Sequence, residues 1–360
     1  MFLKNYWYVA AFTDEVGAQP LGRTLLGEPV VFYRTPSGQP VAFEDRCCHR
    51  NAPLSLGRVI GDKLQCGYHG MIFDPSGACV GIPGQVTIPK GAKVQAYPVV
   101  DRWHFLWIWM GDPALADASR IPRVQFNDHP NWSYVGGYLH LECHYQLLVD
   151  NLLDLSHETF LHSKTIGNEH VADTPLAKVL ANNAEALSIS PLKELVVVKP
   201  AVTATRWMFD IDPPPLYAKT GGFAERKEKV DRWQLLHFEP PSVVWLDAGV
   251  AVAGTGALQG DRSRGITHIL FDGITPETET STHYFWSFPR DYKIDDQSID
   301  AMLQTGVANT FLEDKDMLEG QQRRMTAKPN APKIDINVDA PSAQARRLVE
   351  RLLREEARQH

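Results

Sequence analysis

Four residues in the first fifth of the chain carry a recognisable chemistry. Cys47-Cys48-His49 and Cys66-Gly67-Tyr68-His69 form the pattern C-x-H, sixteen residues, C-x-x-H. Each half offers one thiolate and one imidazole. A [2Fe–2S] cluster with two Cys on one iron and two His on the other needs this donor set, supplied by Cys47, His49, Cys66 and His69. Neutral imidazoles in place of anionic sulfurs raise the potential of such a cluster, so it can take an electron from a reductase and pass it on. Zinc would accept the same atom types, although zinc sites usually place both cysteines in one knuckle. A disulfide between Cys47 and Cys66 would leave both histidines unexplained. The spacing makes Cys47 the ligand, and Cys48 is expected to be a small packed side chain. Gly67 and Gly70 allow close approach of the backbone to the sulfurs, and Pro53 stiffens the exit of the first loop.

A second constellation lies downstream, in Asn151-Leu152-Leu153-Asp154-Leu155-Ser156-His157-Glu158-Thr159-Phe160-Leu161-His162. His157 and His162 suggest a mononuclear Fe(II) held by two histidines and one carboxylate, a ligand set that leaves open positions for dioxygen chemistry. On an ideal helix five residues turn about 500°, so the two rings would point roughly 140° apart. They can share a metal only if the helix ends or bulges between them, with Glu158-Thr159 the expected place. The carboxylate should come from Glu313, Asp314 or Asp316. Val307, Phe311, Leu318 and Met325 define an apolar helical stripe, and only Asp314 falls within it. A carboxylate on such a stripe is costly unless a metal or partner takes it, so Asp314 is the expected ligand and the other two read as solvated charges. Asp154, three before His157, is placed to accept a histidine N–H, or else serves structurally as a cap or the partner of a nearby Arg. Asn151 would face the open side of the iron or bond backbone.

The elements that must position these groups follow from the rest of the chain. At 360 residues, with 44% hydrophobic content, it can build two cores. Residues 1–115 read as short strands broken by Pro and Gly turns, forming an all-β cluster domain. Residues 116–360 read as an α+β catalytic domain, with a helix from about 145 to 160, strands between about 185 and 290, and helices near 295–324 and 341–358. The net charge of −7 argues against nucleic-acid binding. No apolar run approaches the ~20 residues of a membrane span. Five cysteines, with an odd number left after the two ligands, fit a reduced, cytoplasmic protein. No dinucleotide fingerprint is present, since Gly254-Thr255-Gly256 opens no strand-to-helix unit, so the electrons must come from another protein. Asp272 and His283 are the candidate substrate residues; Asp272 reads equally well as a turn residue before Gly273.

Taken together, the paired Cys/His motifs, N-x-x-D-x-x-H-x4-H and the late Glu-Asp-Lys helix resemble the oxygenase components of Rieske non-haem iron oxygenases. Lys4-Asn5-Tyr6-Trp7-Tyr8-Val9-Ala10, Leu21-Gly22-Arg23, Ala52-Pro53-Leu54-Ser55, Cys66-Gly67-Tyr68-His69-Gly70 and Leu148-Val149-Asp150-Asn151-Leu152 narrow the likeness to the aromatic O-demethylase branch. Vanillate O-demethylase is the nearest in character; dicamba O-demethylase and toluenesulfonate methyl-monooxygenase are similar, and the Cys-Cys-His loop is like the last of these. The resemblance implies a Rieske domain followed by a helix-grip (Bet v 1/START-like) catalytic domain. It also implies a homotrimer, a separate NAD(P)H-dependent reductase with ferredoxin and flavin centres, and a methoxylated aromatic acid demethylated with O2 to a phenol and formaldehyde. Hydroxylation of an aryl methyl or of the ring of another aromatic acid is the alternative, and a Rieske electron carrier without catalysis the reading from a different class. In that family Asp154 would bridge the cluster histidines of one subunit to His157 or His162 of the next.

Overall fold

The computed structural model describes residues 1–163, 165–167, 169–176, 178–181, 187–195 and 200–358; the expected onset of the strand-rich stretch, near 185, falls outside them. The chain divides into two compact units, one of residues 1–121 with 275–279, the other of 122–274 with 280–360.

The first unit is built from three small sheets. In one, β1 (Trp7–Phe12) pairs antiparallel with β11 (Phe105–Trp109). All five residues of β11 are buried, as expected for an unbroken apolar run. The strand is shorter than the apolar stretch 103–109, because Trp103 and His104 adopt positive φ and form the turn from β10 (Val99–Arg102). A second sheet orders β2 (Leu21–Leu25), β3 (Glu28–Arg34), β4 (Pro40–Glu44) and β9 (Ala96–Tyr97). The third runs β5 (Arg58–Ile60), β6 (Lys63–Gln65), β7 (Ile72–Phe73), β8 (Cys79–Gly81). Between these two sheets lies a core of Val31, Tyr33, Phe43, Leu54, Leu64 and Phe73, which also takes in Cys47 and Cys66.

The second unit is a mixed α/β domain. Among the described residues its sheet has seven strands, in the order β12-β18-β17-β16-β15-β14-β13. They are β12 (Ser133–Leu141), β13 (Lys178–Ala181), β14 (Val202–Ile211), β15 (Val230–Glu239), β16 (Val243–Val252), β17 (Gly265–Pro276) and β18 (Thr282–Arg290). Every residue of β15 and β18 is buried, so both faces of the sheet centre are covered and period-2 polarity is lost. Three longer helices accompany the sheet: α1 (Tyr145–Leu153), α2 (Gln297–Ala327) and α3 (Ala340–Glu356). Asp296 caps α2 by accepting from the Ser298 amide. Phe311 of α2 packs edge-on against Tyr284 and Trp286, which identifies the sheet face that α2 covers. On that face Trp286 lies across Gly137 of β12, where a Cβ would stand 2.5 Å from the indole.

Candidate metal centres

The two Cys/His segments fold as matched turns. The first follows β4, and the second joins β6 to β7. In the first, the Cys47 amide donates to the Ala52 carbonyl (2.9 Å) and the Asn51 amide to the Cys47 carbonyl (2.9 Å). In the second, the Cys66 amide donates to Met71 (2.8 Å) and the Gly70 amide to Cys66 (3.1 Å). The same position in each turn is left-handed: Asn51 at φ 56° and Gly70 at φ 75°. Gly70 thus answers a backbone demand. Gly67 is small for a different reason from the one expected: a Cβ there would meet the Leu56 carbonyl oxygen at 2.6 Å. The turns bury both cysteines and leave both histidines exposed, their rings 4.6 Å apart. Burial, opposed by a backbone hydrogen bond and reinforced by Cys66, pushes the Cys47 thiol up to about 11. That thiol is therefore neutral until a metal takes its proton. Two buried sulfurs backed by an apolar core and two exposed imidazoles fit a [2Fe–2S] cluster, which Cys47, Cys66, His49 and His69 would hold. Cys48 is not the packed side chain expected. It is exposed, on a cleft of about 630 Å³ shared with His49 and His69, because the turn that buries its neighbour turns it outward.

The second constellation also comes together. Ligand atoms of His157, His162 and Asp314 lie within 4.8 Å of one another. Asp314 Oδ1 stands 3.1 Å from His162 Nε2 and 3.4 Å from His157 Nε2. The helix does break before the histidines share a site, but earlier than expected. It ends at Leu153, Asp154 is extended (φ −127°, ψ 100°), and a 3-10 turn runs Leu155–Thr159. The Asp154 carboxylate is used as the cap of that turn, accepting from the Ser156 amide at 2.9 Å. Its backbone carbonyl, and not its carboxylate, accepts from His157 Nδ1 (2.6 Å). Asn151 donates from Nδ2 to Asp314 Oδ1 (2.9 Å), orienting the carboxylate. Asp314 is on the buried stripe of α2 with Val307, Phe311 and Leu318, and Asp316 is exposed. Glu313, however, is not a solvated charge: its Oε2 accepts from His162 Nδ1 at 2.7 Å. Adjacent helix residues project about 100° apart, and the His162 ring lies so that each carboxylate meets a different nitrogen. Nothing in the linear spacing signals this. Burial disfavours the charged form of His162, but the hydrogen bonds of Asp314 and Glu313 and the charges of Asp314 and Glu158 outweigh it and raise its pKa. Two imidazole nitrogens and a carboxylate, each oriented through a further hydrogen bond, suit a non-haem iron with open positions.

A buried clamp beside the site was not legible either. Glu158, between the two histidines, accepts from Arg232 Nη2 (2.7 Å) and Gln234 Nε2 (2.8 Å) of β15, and Arg206 of β14 donates to Gln234 (3.0 Å). All four side chains are buried. Arg232→Met would leave the Glu158 carboxylate buried without its counter-ion. The expected cost is about 3–5 kcal/mol, read as a lower midpoint in denaturant unfolding.

Asp272 is not a turn residue. It lies inside β17, fully buried, and accepts from the Tyr284 hydroxyl at 2.6 Å. Burial pushes its carboxyl up to about 8, the Tyr284 bond pulling the other way and the charge of Asp314 adding to the rise. Tyr284 packs on Phe311, so Asp272 belongs to the face that α2 covers. His283 does not. Strand alternation sends it to the opposite face, where its Nδ1 meets the Tyr138 hydroxyl at 2.8 Å and its ring lies near His140 and Phe285.

Known proteins align with both centres. Residues 6–98 match the Rieske [2Fe-2S] domain and residues 141–355 the vanillate O-demethylase oxygenase C-terminal domain. The chain is the oxygenase component of a Rieske non-haem iron aromatic oxygenase. This oxygenase is 40% identical to the iron-sulfur subunit of the toluene-4-sulfonate monooxygenase system of Comamonas testosteroni, over 99% of this chain and 98% of that one. It is 38% identical to the vanillate O-demethylase oxygenase subunit of a Pseudomonas strain, over 98% and 95%. Its fold superposes on crystalline dicamba monooxygenase bound to dicamba with a TM-score of 0.85 at 35% identity, covering 99% of both chains. Among its described residues no helix is long and apolar enough to cross a membrane.

Proposed function

We propose that the oxygenase inserts one oxygen atom of O2 into a methyl C–H bond of a substituted aromatic acid. The observation that carries this reading is the His157–His162–Asp314 site joined to full-length likeness with a toluene-4-sulfonate monooxygenase subunit, whose named substrate carries a ring methyl, and a vanillate O-demethylase subunit, whose named substrate carries a methyl ether. The likeness favours a methyl on the ring at least as well as the methyl ether that the sequence motifs suggested, so aryl-methyl hydroxylation is the leading form and O-demethylation the second. Cys47, Cys66, His49 and His69 would hold the [2Fe–2S] cluster, and His157, His162 and Asp314 the Fe(II). An iron with two histidines and a carboxylate, fed with electrons, supplies O2 reduction and C–H oxygenation.

The residues of the chain set the conditions for that chemistry. Asn151 fixes the rotamer of Asp314. Phe311, Tyr284 and Trp286 keep the adjoining face apolar and dry. Asp272, hydrogen-bonded to Tyr284 and with its carboxyl pushed up to about 8 by burial, would offer a hydrogen bond to a ring substituent in its protonated form. A separate NAD(P)H-dependent reductase with ferredoxin and flavin centres would supply two electrons, which with two protons reduce the second oxygen atom to water. A cytoplasmic homotrimer and a helix-grip description of the second unit complete the proposal. The antiparallel sheet packed against the long α2 supports the latter.

The deciding experiment measures O2 uptake by the iron-reconstituted protein with a compatible reductase and NADH. The panel would pair methylbenzoates and toluene-4-sulfonate with methoxybenzoates including vanillate. Aryl-methyl oxidation yields a benzylic alcohol and no formaldehyde. O-demethylation yields a phenol and one formaldehyde per O2. O2 consumption with neither product across the panel would reject both forms.

A further inference from the structure

The two ligand histidines are held by different acceptors. His157 Nδ1 meets the neutral backbone carbonyl of Asp154, whereas His162 Nδ1 meets the carboxylate of Glu313 at 2.7 Å. The His162 ring is 1% exposed, so its N–H must find a protein acceptor. Glu313 makes no other hydrogen bond or ion pair among the described residues. The neighbouring cation, Lys315, is already engaged by Glu319 and by the His140 carbonyl. A half-buried acid whose single partner is a metal-site imidazole has no other structural task in view.

We propose that Glu313 is a positioning residue for the mononuclear iron. Its carboxylate takes the Nδ1–H of His162, which selects the tautomer with a bare Nε2 toward Asp314 Oδ1 and the metal. It also locks the ring plane and makes this imidazole a stronger donor than His157. The consequence is an asymmetric site in which His162 and Asp314 form the firm side and His157, tied only to backbone, the compliant one. This proposal rests on the reading of His157, His162 and Asp314 as the iron ligands.

The test uses the full-length protein with its cluster intact and its mononuclear iron removed by a mild chelator. Fe(II) is titrated back against a chromophoric competitor, and the Co(II)-loaded form gives a ligand-field spectrum independent of turnover. Glu313→Ala should weaken Fe(II) binding by about 10–100-fold. Glu313→Gln, which keeps an acceptor but no charge, should fall between it and the parent, and both should shift the Co(II) bands. Asp316→Asn removes the same charge from an exposed position of the same helix and should change nothing. Parent-like iron affinity in Glu313→Ala would overturn the proposal, as would an equal loss in Asp316→Asn, which would mean a diffuse charge effect. If Glu313→Ala loses helicity or cluster colour, the Gln variant decides by the same criteria. Retention of iron by Asp314→Ala would instead overturn the ligand assignment itself, a separate failure.

Discussion

Asp314→Ala leaves the protein with only the iron of its cluster. The side chain is 5% exposed, and it stands within 3.1–3.4 Å of both histidine Nε2 atoms. Two imidazoles alone form a weak and incomplete Fe(II) site, because the anionic ligand supplies most of the electrostatic attraction for a hard divalent cation. Iron analysis should therefore fall to the cluster content. The visible spectrum of the cluster should be unchanged, since Cys47, His49, Cys66 and His69 belong to the other unit. Turnover should drop by on the order of 10³-fold or more, at least about 4 kcal/mol of barrier. Retained iron with retained activity would show that helical phase had picked out the wrong carboxylate, and Glu313 would be the next to replace.

Asp154→Asn should give the second large effect with the opposite signature: both metal sites filled, electron transfer between them slowed. The structure makes this substitution unusually clean. The side chain caps the 3-10 turn by accepting from Ser156, and asparagine is an equally good cap. The contact to His157 runs through the backbone carbonyl, which the substitution leaves alone. Geometry at His157 should thus survive while the negative charge disappears. If Asp154 links the cluster to the iron, as the resemblance implies, then single-turnover reoxidation of the reduced cluster should slow by about 10²-fold or more, with Fe(II) affinity near that of the parent. Unchanged reoxidation and unchanged turnover would take Asp154 off the path and leave it as a cap.

Metal chemistry was legible in the chain because ligation restricts residue type as well as spacing. Few arrangements other than a shared cluster explain C-x-H and C-x-x-H sixteen residues apart. Asp314 was legible because a carboxylate on an apolar stripe is a one-dimensional contradiction that only a buried partner resolves. Glu313 was not, because its partner approaches from a segment 151 residues away, and helical phase describes only the helix's own faces. The Glu158–Arg232–Gln234 clamp was hidden for the same reason, Glu158 lying more than seventy residues from both of its partners. The helix break was expected at Glu158-Thr159 from the need to bring His157 and His162 together. It occurs at Asp154, where an Asp able to cap the following turn interrupts the run. Cys48 and His283 went astray on orientation, which a turn and a strand register decide.

The sequence by itself thus determined the inorganic character of the protein: a Rieske [2Fe–2S] domain followed by a mononuclear metal site of two histidines and a carboxylate. These are properties of atoms and short spacings. Only the tertiary structure decided what each ligand leans on. It showed that His162 is backed by a carboxylate and His157 by a carbonyl, that Asp272 is buried on the face beneath α2 where burial raises its pKa, and that His283 faces away. Those facts depend on which strand lies beside which and on the angle at which α1 gives way to the 3-10 turn. Both are set by long-range packing and by the burial that packing imposes, which no local pattern encodes.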